Sequence, residues 1–445
     1  MNRLRALVPI VAIILAACNA GTAPTTAPAT ASQAAGSPIP QATAGPTVRL
    51  PVTGSNGPDL LVVRRDGGKP DRGYAVIDGG SMTELASLPL GVPSADWRTI
   101  YAATSNGGTT QVAAVDPNDG STIRTITVPG AWTLPTIGYS KMPAGLAGDG
   151  GVLVLVEPAA AAAAPARATR FAIVATDGST APRVISLPGT LEFDAISPSG
   201  TTLFALQHSD AADPTHYAVR AIDLASGKLI DGDIVDKRNA GEAMGGYAVV
   251  QIAGRSGFIY TVYRGANGPF IHALDTADSI AFCIDLPGPK DEDVASAAAW
   301  SLSLDPAGGT VYATNGVLGT VADVDLASFS VTRTANLARI GVVTLAKFGG
   351  GPALYGGQAA LAPGGAALYV IGDRGIRVVR TSDLVTMGHV ASDRTFTSIA
   401  AGSDETLYVV DATGVASRID ARTGAAVGRS PAGGYAGIVA VIPHQ

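Results

Sequence analysis

Three features of the 445-residue chain predict an all-β fold, a single β-propeller of four-stranded antiparallel blades. A Pro- or Gly-containing turn followed by an apolar burst recurs: "SPSGTTLFALQ" from Ser197, "DPAGGTVYATN" from Asp305, "APGGAALYVIG" from Ala362 and "GSDETLYVVD" from Gly402. Each burst is followed by a second short strand, usually ending in Asp. The pairs return at the spacing of a propeller blade. Composition agrees, since 55 Gly, 29 Pro and 15% charged residues suit a turn-rich β protein.

The chain opens "MNRLRALVPIVAIILAACNA". Arg3 and Arg5 form a positive region, followed by an apolar run from Ala6 to Ala17 that ends in small residues. This reads as a secretory signal over residues 1–17, too short to span a bilayer as a mature helix. Leu15-Ala16-Ala17-Cys18 resembles the lipobox of bacterial lipoproteins. The resemblance implies cleavage before Cys18, lipid attachment to that residue, and a cell-envelope location facing outside the cytoplasm. An ordinary secreted protein with a chance cysteine, or an uncleaved anchor, is the alternative. Residues 18–57 are rich in Thr, Ala, Pro, Ser and Gly, have little to bury, and are read as an extended linker behind the lipid-attachment cysteine.

With Cys18 lipidated, only Cys283 remains, which excludes an intramolecular disulfide. Loss of Arg3 and Arg5 takes the formal net charge from −6 to −8, and no basic run appears, so nucleic acid is excluded as a partner.

Residues 58–445 are read as the propeller. The first strand type runs "LLVVRR" from Leu60, "TIYAATSN" from Thr99, "VLVLVEP" from Val152, "TLFALQHS" from Thr202, "FIYTVYRG" from Phe258, "TVYATNGV" from Thr310, "ALYVIGDR" from Ala367 and "TLYVVDAT" from Thr406. The strand after each closes at Asp78, Asp116, Asp177, Asp223, Asp275, Asp325, Asp383 and Asp420. Short alternating strands bounded by Gly, Asn, Asp and Pro are an antiparallel signature. Seven intervals separate Asp78 from Asp420, about 49 residues each, the length of a four-stranded blade. The first repeat lacks a strand ahead of "LLVVRR", and "GGYAGIVAVIP" at the chain end supplies one, closing the ring and removing both free edges. Eight blades are favoured, with seven as the alternative.

The turns "SPSGTTLFAL" and "DPAGGTVYATN", with the later "IDLASGKLI" and "VDLASFSV", resemble those of the YVTN-type and WD-repeat-like bacterial β-propellers. The resemblance covers about residues 58–443. It implies the architecture and no particular activity, because this fold hosts many.

Function is sought in the segments leading into each innermost strand, which share one face of a propeller. They contain Trp97, Arg98, Trp132, Tyr139, Tyr247, Trp300, Tyr355 and Tyr435, taken together as the candidate binding face round the channel mouth. Aromatics in such places also serve as wedges between blades. Lys141, Glu192, Asp194, Glu242 and the run Asp291-Glu292-Asp293 are expected to rim the same face. No HxH or HExxH pair occurs among the five His, and no G-x-S-x-G elbow is present, so no catalytic, metal or cofactor site is assigned. The sequence therefore predicts a membrane-anchored, monomeric propeller that binds a protein, peptide or glycan. The alternative is an extracytoplasmic hydrolase or lactonase with a carboxylate–metal site at the channel mouth.

Overall fold

The computed structural model describes residues 59–65, 73–158, 168–210, 213–236, 238, 244–337, 346–348, 351–372 and 374–442. The expected signal, Cys18, the linker and Glu242 lie outside the described residues. Among the described residues no helix is long and apolar enough to cross a membrane.

Eight antiparallel sheets follow one another along the chain and form the blades. Blade 1 joins both chain ends. Its innermost strand is Tyr435–Ile442, which pairs with Leu60–Arg65 from Leu60 opposite Ile442 to Arg65 opposite Tyr435, with two bulges. Tyr74–Asp78 and Glu84–Leu88 complete it. The ring is thus closed by the strand expected from the sequence, and neither end leaves an innermost edge to pair elsewhere.

Blades 2, 4, 5, 6, 7 and 8 are complete four-stranded sheets that open at Val92, Thr190, Tyr247, Trp300, Ala359 and Phe396. Blade 3 departs from the pattern. Its three regular strands are Val152–Val156, Ala168–Ala175 and Arg183–Pro188. Its innermost strand is split, with Thr133 bridged to Val156 and Leu146 to Leu153 while the residues between loop out.

The recurring motifs have local causes. In "SPSG" the Ser197 hydroxyl accepts from the amides of Thr201 and Thr202, and the Gly200 amide donates to the Ser197 carbonyl, which folds the first strand back onto the second. The turn at Asp305 repeats the same backbone bonds, Gly308 N–H to the Asp305 carbonyl and Asp305 N–H to that of Thr310. The strand-ending Asp residues cap the next turn. Asp223 accepts from Ser226 N–H at 2.6 Å, Asp325 from Ser328 N–H at 2.7 Å and Asp420 from Thr423 N–H at 2.7 Å. Side-chain and backbone hydrogen bonds from these Ser and Thr residues hold the three carboxyls below the usual carboxylate range.

The core is a series of apolar layers between blades rather than one central mass. One layer joins blade 4 to blade 5 through Phe204, Leu206, Tyr217, Tyr263 and Leu274. Another joins blade 5 to blade 6 through Tyr260, Val262, Trp300 and Val311.

Candidate functional site

The channel is crossed by the chain itself. The residues that leave the innermost strand of blade 3 form a hairpin, Thr136–Ile137 against Met142–Pro143. Tyr139, at its turn, donates its N–H to the Val249 carbonyl of blade 5 at 2.8 Å and accepts from the Leu354 amide at 2.9 Å. Leu354 belongs to the segment entering blade 7, across the ring from blade 3. Gly138 makes the approach possible, because it has φ +57° and a Cβ there would lie 2.1 Å from the Val249 carbonyl oxygen. On the blade 1 side, Arg64 donates to the Lys141 carbonyl at 3.4 Å and stacks over the Tyr355 ring at 4.4 Å.

This changes the expected binding face. Trp132 is 1% exposed and wedged between blades 2 and 3, its indole N–H on the Pro129 carbonyl at 2.6 Å. Trp300 is 2% exposed between blades 5 and 6. Tyr355 is buried beneath Arg64, and Tyr435 is buried with its hydroxyl 3.3 Å from Glu84. Trp97 and Tyr139 are half-buried against interblade layers. A buried ring offers no contact area to a partner, so these aromatics act mainly as wedges. Arg98 and Tyr247 are exposed, the first on blade 2 beside Asp96 and the second at the entry to blade 5.

The acidic positions also separate. Glu192 stays exposed and pairs with His208 at 3.2 Å. Asp194 is buried between blades 4 and 5 and accepts from the Tyr263 hydroxyl at 3.3 Å. Burial pushes its carboxyl up to about 7. Lys141, half-buried, is lowered by desolvation against the opposing pull of Glu192. Of the run 291–293, Asp291 and Asp293 are exposed and Glu292 is buried. Glu292 is 3% exposed and takes hydrogen bonds from the Trp300 indole at 3.1 Å and the Asn315 amide at 3.2 Å. Burial raises it to about 7. Asp293 caps the short helix Val294–Ala298 through the amides of Ala295 and Ser296.

A cleft of about 420 Å³ opens where blade 4 meets blade 5. Its floor is Met244, Phe270 and Cys283, which pack in the same layer as Tyr217 and Tyr263. One wall is the hairpin from Arg264 to Gly268. Gly245, Gly246 and Tyr247 run alongside it, with Tyr247 paired opposite Arg264, and Thr215 and His216 of blade 4 line the cleft beyond them. Gly246 has φ +134°, and a Cβ there would lie 2.5 Å from the Arg264 carbonyl oxygen, so the chain enters blade 5 against this hairpin only as glycine. Asp285, Lys290 and Asp291 stand at the rim. Asp236 fixes the back, accepting from the amides of Arg238 at 2.8 Å and Cys283 at 2.9 Å.

Of the residues lining this cleft, sequence reasoning singled out Tyr247 and Asp291, as parts of a channel-mouth face, and it missed the Arg264–Gly268 wall. Its "RGANG" reads as an ordinary tight turn, and its exposure beside the interblade connection depends on the blade geometry. Among the described residues no group of three or more His, Cys, Asp or Glu is arranged to hold a metal ion.

No family model matches the chain, and no curated protein sequence matches it. Solved structures do match in fold. Apo AztD from Citrobacter koseri is 16% identical, with 87% of this chain and 98% of that chain covered and a TM-score of 0.53. Dihydro-heme d1 dehydrogenase NirN, in complex with DHE, is 14% identical, with 85% of this chain and 74% of that one covered and a TM-score of 0.52. At such identity the likeness is one of architecture, and with the closed ring of eight sheets it makes this chain an eight-bladed β-propeller.

Proposed function

We propose that the protein is an extracytoplasmic, lipid-anchored β-propeller that binds a ligand in the cleft between blades 4 and 5. The observation that carries the reading is the cleft itself. Its 420 Å³ falls within the range of small-molecule and short-peptide sites, about 300–1,000 Å³, and it joins an apolar floor to a polar rim. The channel axis, the usual alternative place, is crossed by the hairpin from blade 3.

Ala266→Trp tests the cleft, since Ala266 is exposed on the hairpin wall and a large ring there would obstruct entry without touching the core. The full chain and the variant are screened by thermal shift against peptides, glycans and carboxylic acids. Ligands that stabilise the wild type should lose that effect in the variant, while the unliganded melting temperature stays the same. Equal binding by both would remove the cleft from consideration. For the anchor, Cys18→Ser should abolish labelling by a fatty-acid analogue, and retained labelling would refute lipidation at that residue.

A further inference from the structure

The charges of the cleft suggest what it binds. Arg264 lies over the Tyr247 ring, 5.8 Å from its centroid, and makes no hydrogen bond or ion pair among the described residues. Its charge is felt by Glu292 and Asp293, yet both carboxylates are committed elsewhere. Glu292 holds Trp300 and Asn315, and Asp293 holds the helix start. A guanidinium stacked on an aromatic ring is held in orientation, and its fork matches a carboxylate. Lys290 adds a second positive charge at the same rim. Asp285 and Asp291 supply negative charge there, again without an ion pair among the described residues. Met244 and Phe270 give the same cleft an apolar lining. A neutral sugar would need an open aromatic face for stacking, and Arg264 occupies one face of Tyr247.

We propose that the cleft takes a zwitterionic ligand with an apolar body, of the size of a free dipeptide. Its carboxylate sits on Arg264 and Lys290, its ammonium on Asp285 and Asp291, and its side chains on Met244 and Phe270. This rests on the cleft being the binding site. The two ideas separate in the test.

The full chain is titrated calorimetrically with leucyl-phenylalanine, with its N-acetyl form and with its C-terminal amide. The free dipeptide should bind, and each blocked form should bind about tenfold or more weakly, as expected for losing a charge-assisted contact. Arg264→Gln should weaken the free dipeptide about ten- to hundredfold and change the amide little, because the amide lacks the group that Arg264 holds. Asp285→Asn with Asp291→Asn should do the same relative to the N-acetyl form. Unchanged melting temperatures show that the variants fold. Equal binding of free and blocked dipeptides, or no binding of the free dipeptide at millimolar concentration, overturns the proposed ligand class. If another ligand class still binds and is blocked by Ala266→Trp, the cleft stands and only the zwitterion is lost.

Discussion

One buried carboxylate bridges the seam between the first and last blades, beside an apolar layer and further hydrogen bonds, and its removal should loosen the ring there. Asp59 is 3% exposed. It accepts from the Ser403 amide at 2.9 Å, the Ser403 hydroxyl at 2.7 Å and the Tyr408 hydroxyl at 3.3 Å, all from blade 8. These contacts join residues 344 and 349 positions apart, across the point where the ring closes. A hydrogen bond to a charged group contributes about 1.5–3 kcal/mol, and a buried donor left unpaired costs about 1–3 kcal/mol. Allowing for partial rehydration of Ser403, Asp59→Ala should destabilise the protein by about 3 kcal/mol. At ~2.1 cal/mol/K per residue over roughly 390 residues, the unfolding entropy is about 0.8 kcal/mol/K, so the melting temperature should fall by ~4 °C. Asp59→Asn, which keeps one acceptor, should lose about half as much. Asp404→Ala is the control, since among the described residues that exposed neighbour accepts only from Thr406. Scanning calorimetry reads the shift, and hydrogen exchange should show Leu60–Arg65 and Tyr435–Ile442 losing protection before other blades. An Asp59→Ala melting temperature within about 1 °C of the control would refute the seam argument.

Two further perturbations test the interior. Burial raises Asp194 above its unfolded value, so protonation favours the fold; that stabilisation is complete below about pH 4 and lost as pH rises through about 7. Asp194→Asn should therefore gain on the wild type, by on the order of a few kcal/mol, between pH 4 and pH 8 in urea midpoints, and a constant difference would contradict it. The paired comparison matters because Glu292, raised to about 7, acts with the same sign, whereas His272, lowered to about 4 by burial, acts with the opposite one. Gly138→Ala places a Cβ against the Val249 carbonyl at positive φ and should destabilise by about 2 kcal/mol or more. It should also raise hydrogen exchange in Tyr247–Ala253, and unaltered exchange would mean that the channel hairpin does not brace blade 5.

Much of the ring was legible because its determinants are local. "SPSG" carries its own hydroxyl cap, and Asp223, Asp325 and Asp420 each cap a turn three residues on. Closure was legible for a different reason, as an unpaired strand at each end of the repeat array. The site was less legible because its contacts are distant in sequence. Tyr139 meets Val249 and Leu354, far along the chain, so "GAWTLPTIGYSKMPAG" reads as a loop feeding a strand rather than as a hairpin across the axis. Glu292 looks like a solvated member of an acidic run until Trp300 and Asn315 are seen to surround it. Trp132 and Trp300 pack into interblade layers, and aromatic content alone does not distinguish a wedge from a platform.

In a closed ring the paired strands leave little room for variation, so what distinguishes one propeller from another is carried by the connections between blades. Four of the eight are short here: from Leu88 to Val92, Pro188 to Thr190, Val390 to Phe396 and Arg429 to Tyr435. The three longest run from Pro129 to Val152, from Leu229 to Tyr247 and from Asn336 to Ala359. The first and third enter opposite blades and meet where the Leu354 amide donates to the Tyr139 carbonyl, closing the axis with chain. The second is stapled to blade 4 by the Ile234 amide on the Val219 carbonyl and by a bridge between His216 and Gly245. It then turns at Gly246 into blade 5, leaving the cleft beside it. Two of the longest connections therefore meet at the channel axis, and the third borders the cleft. Under the proposed function, that division of labour would put recognition at the boundary between blades 4 and 5.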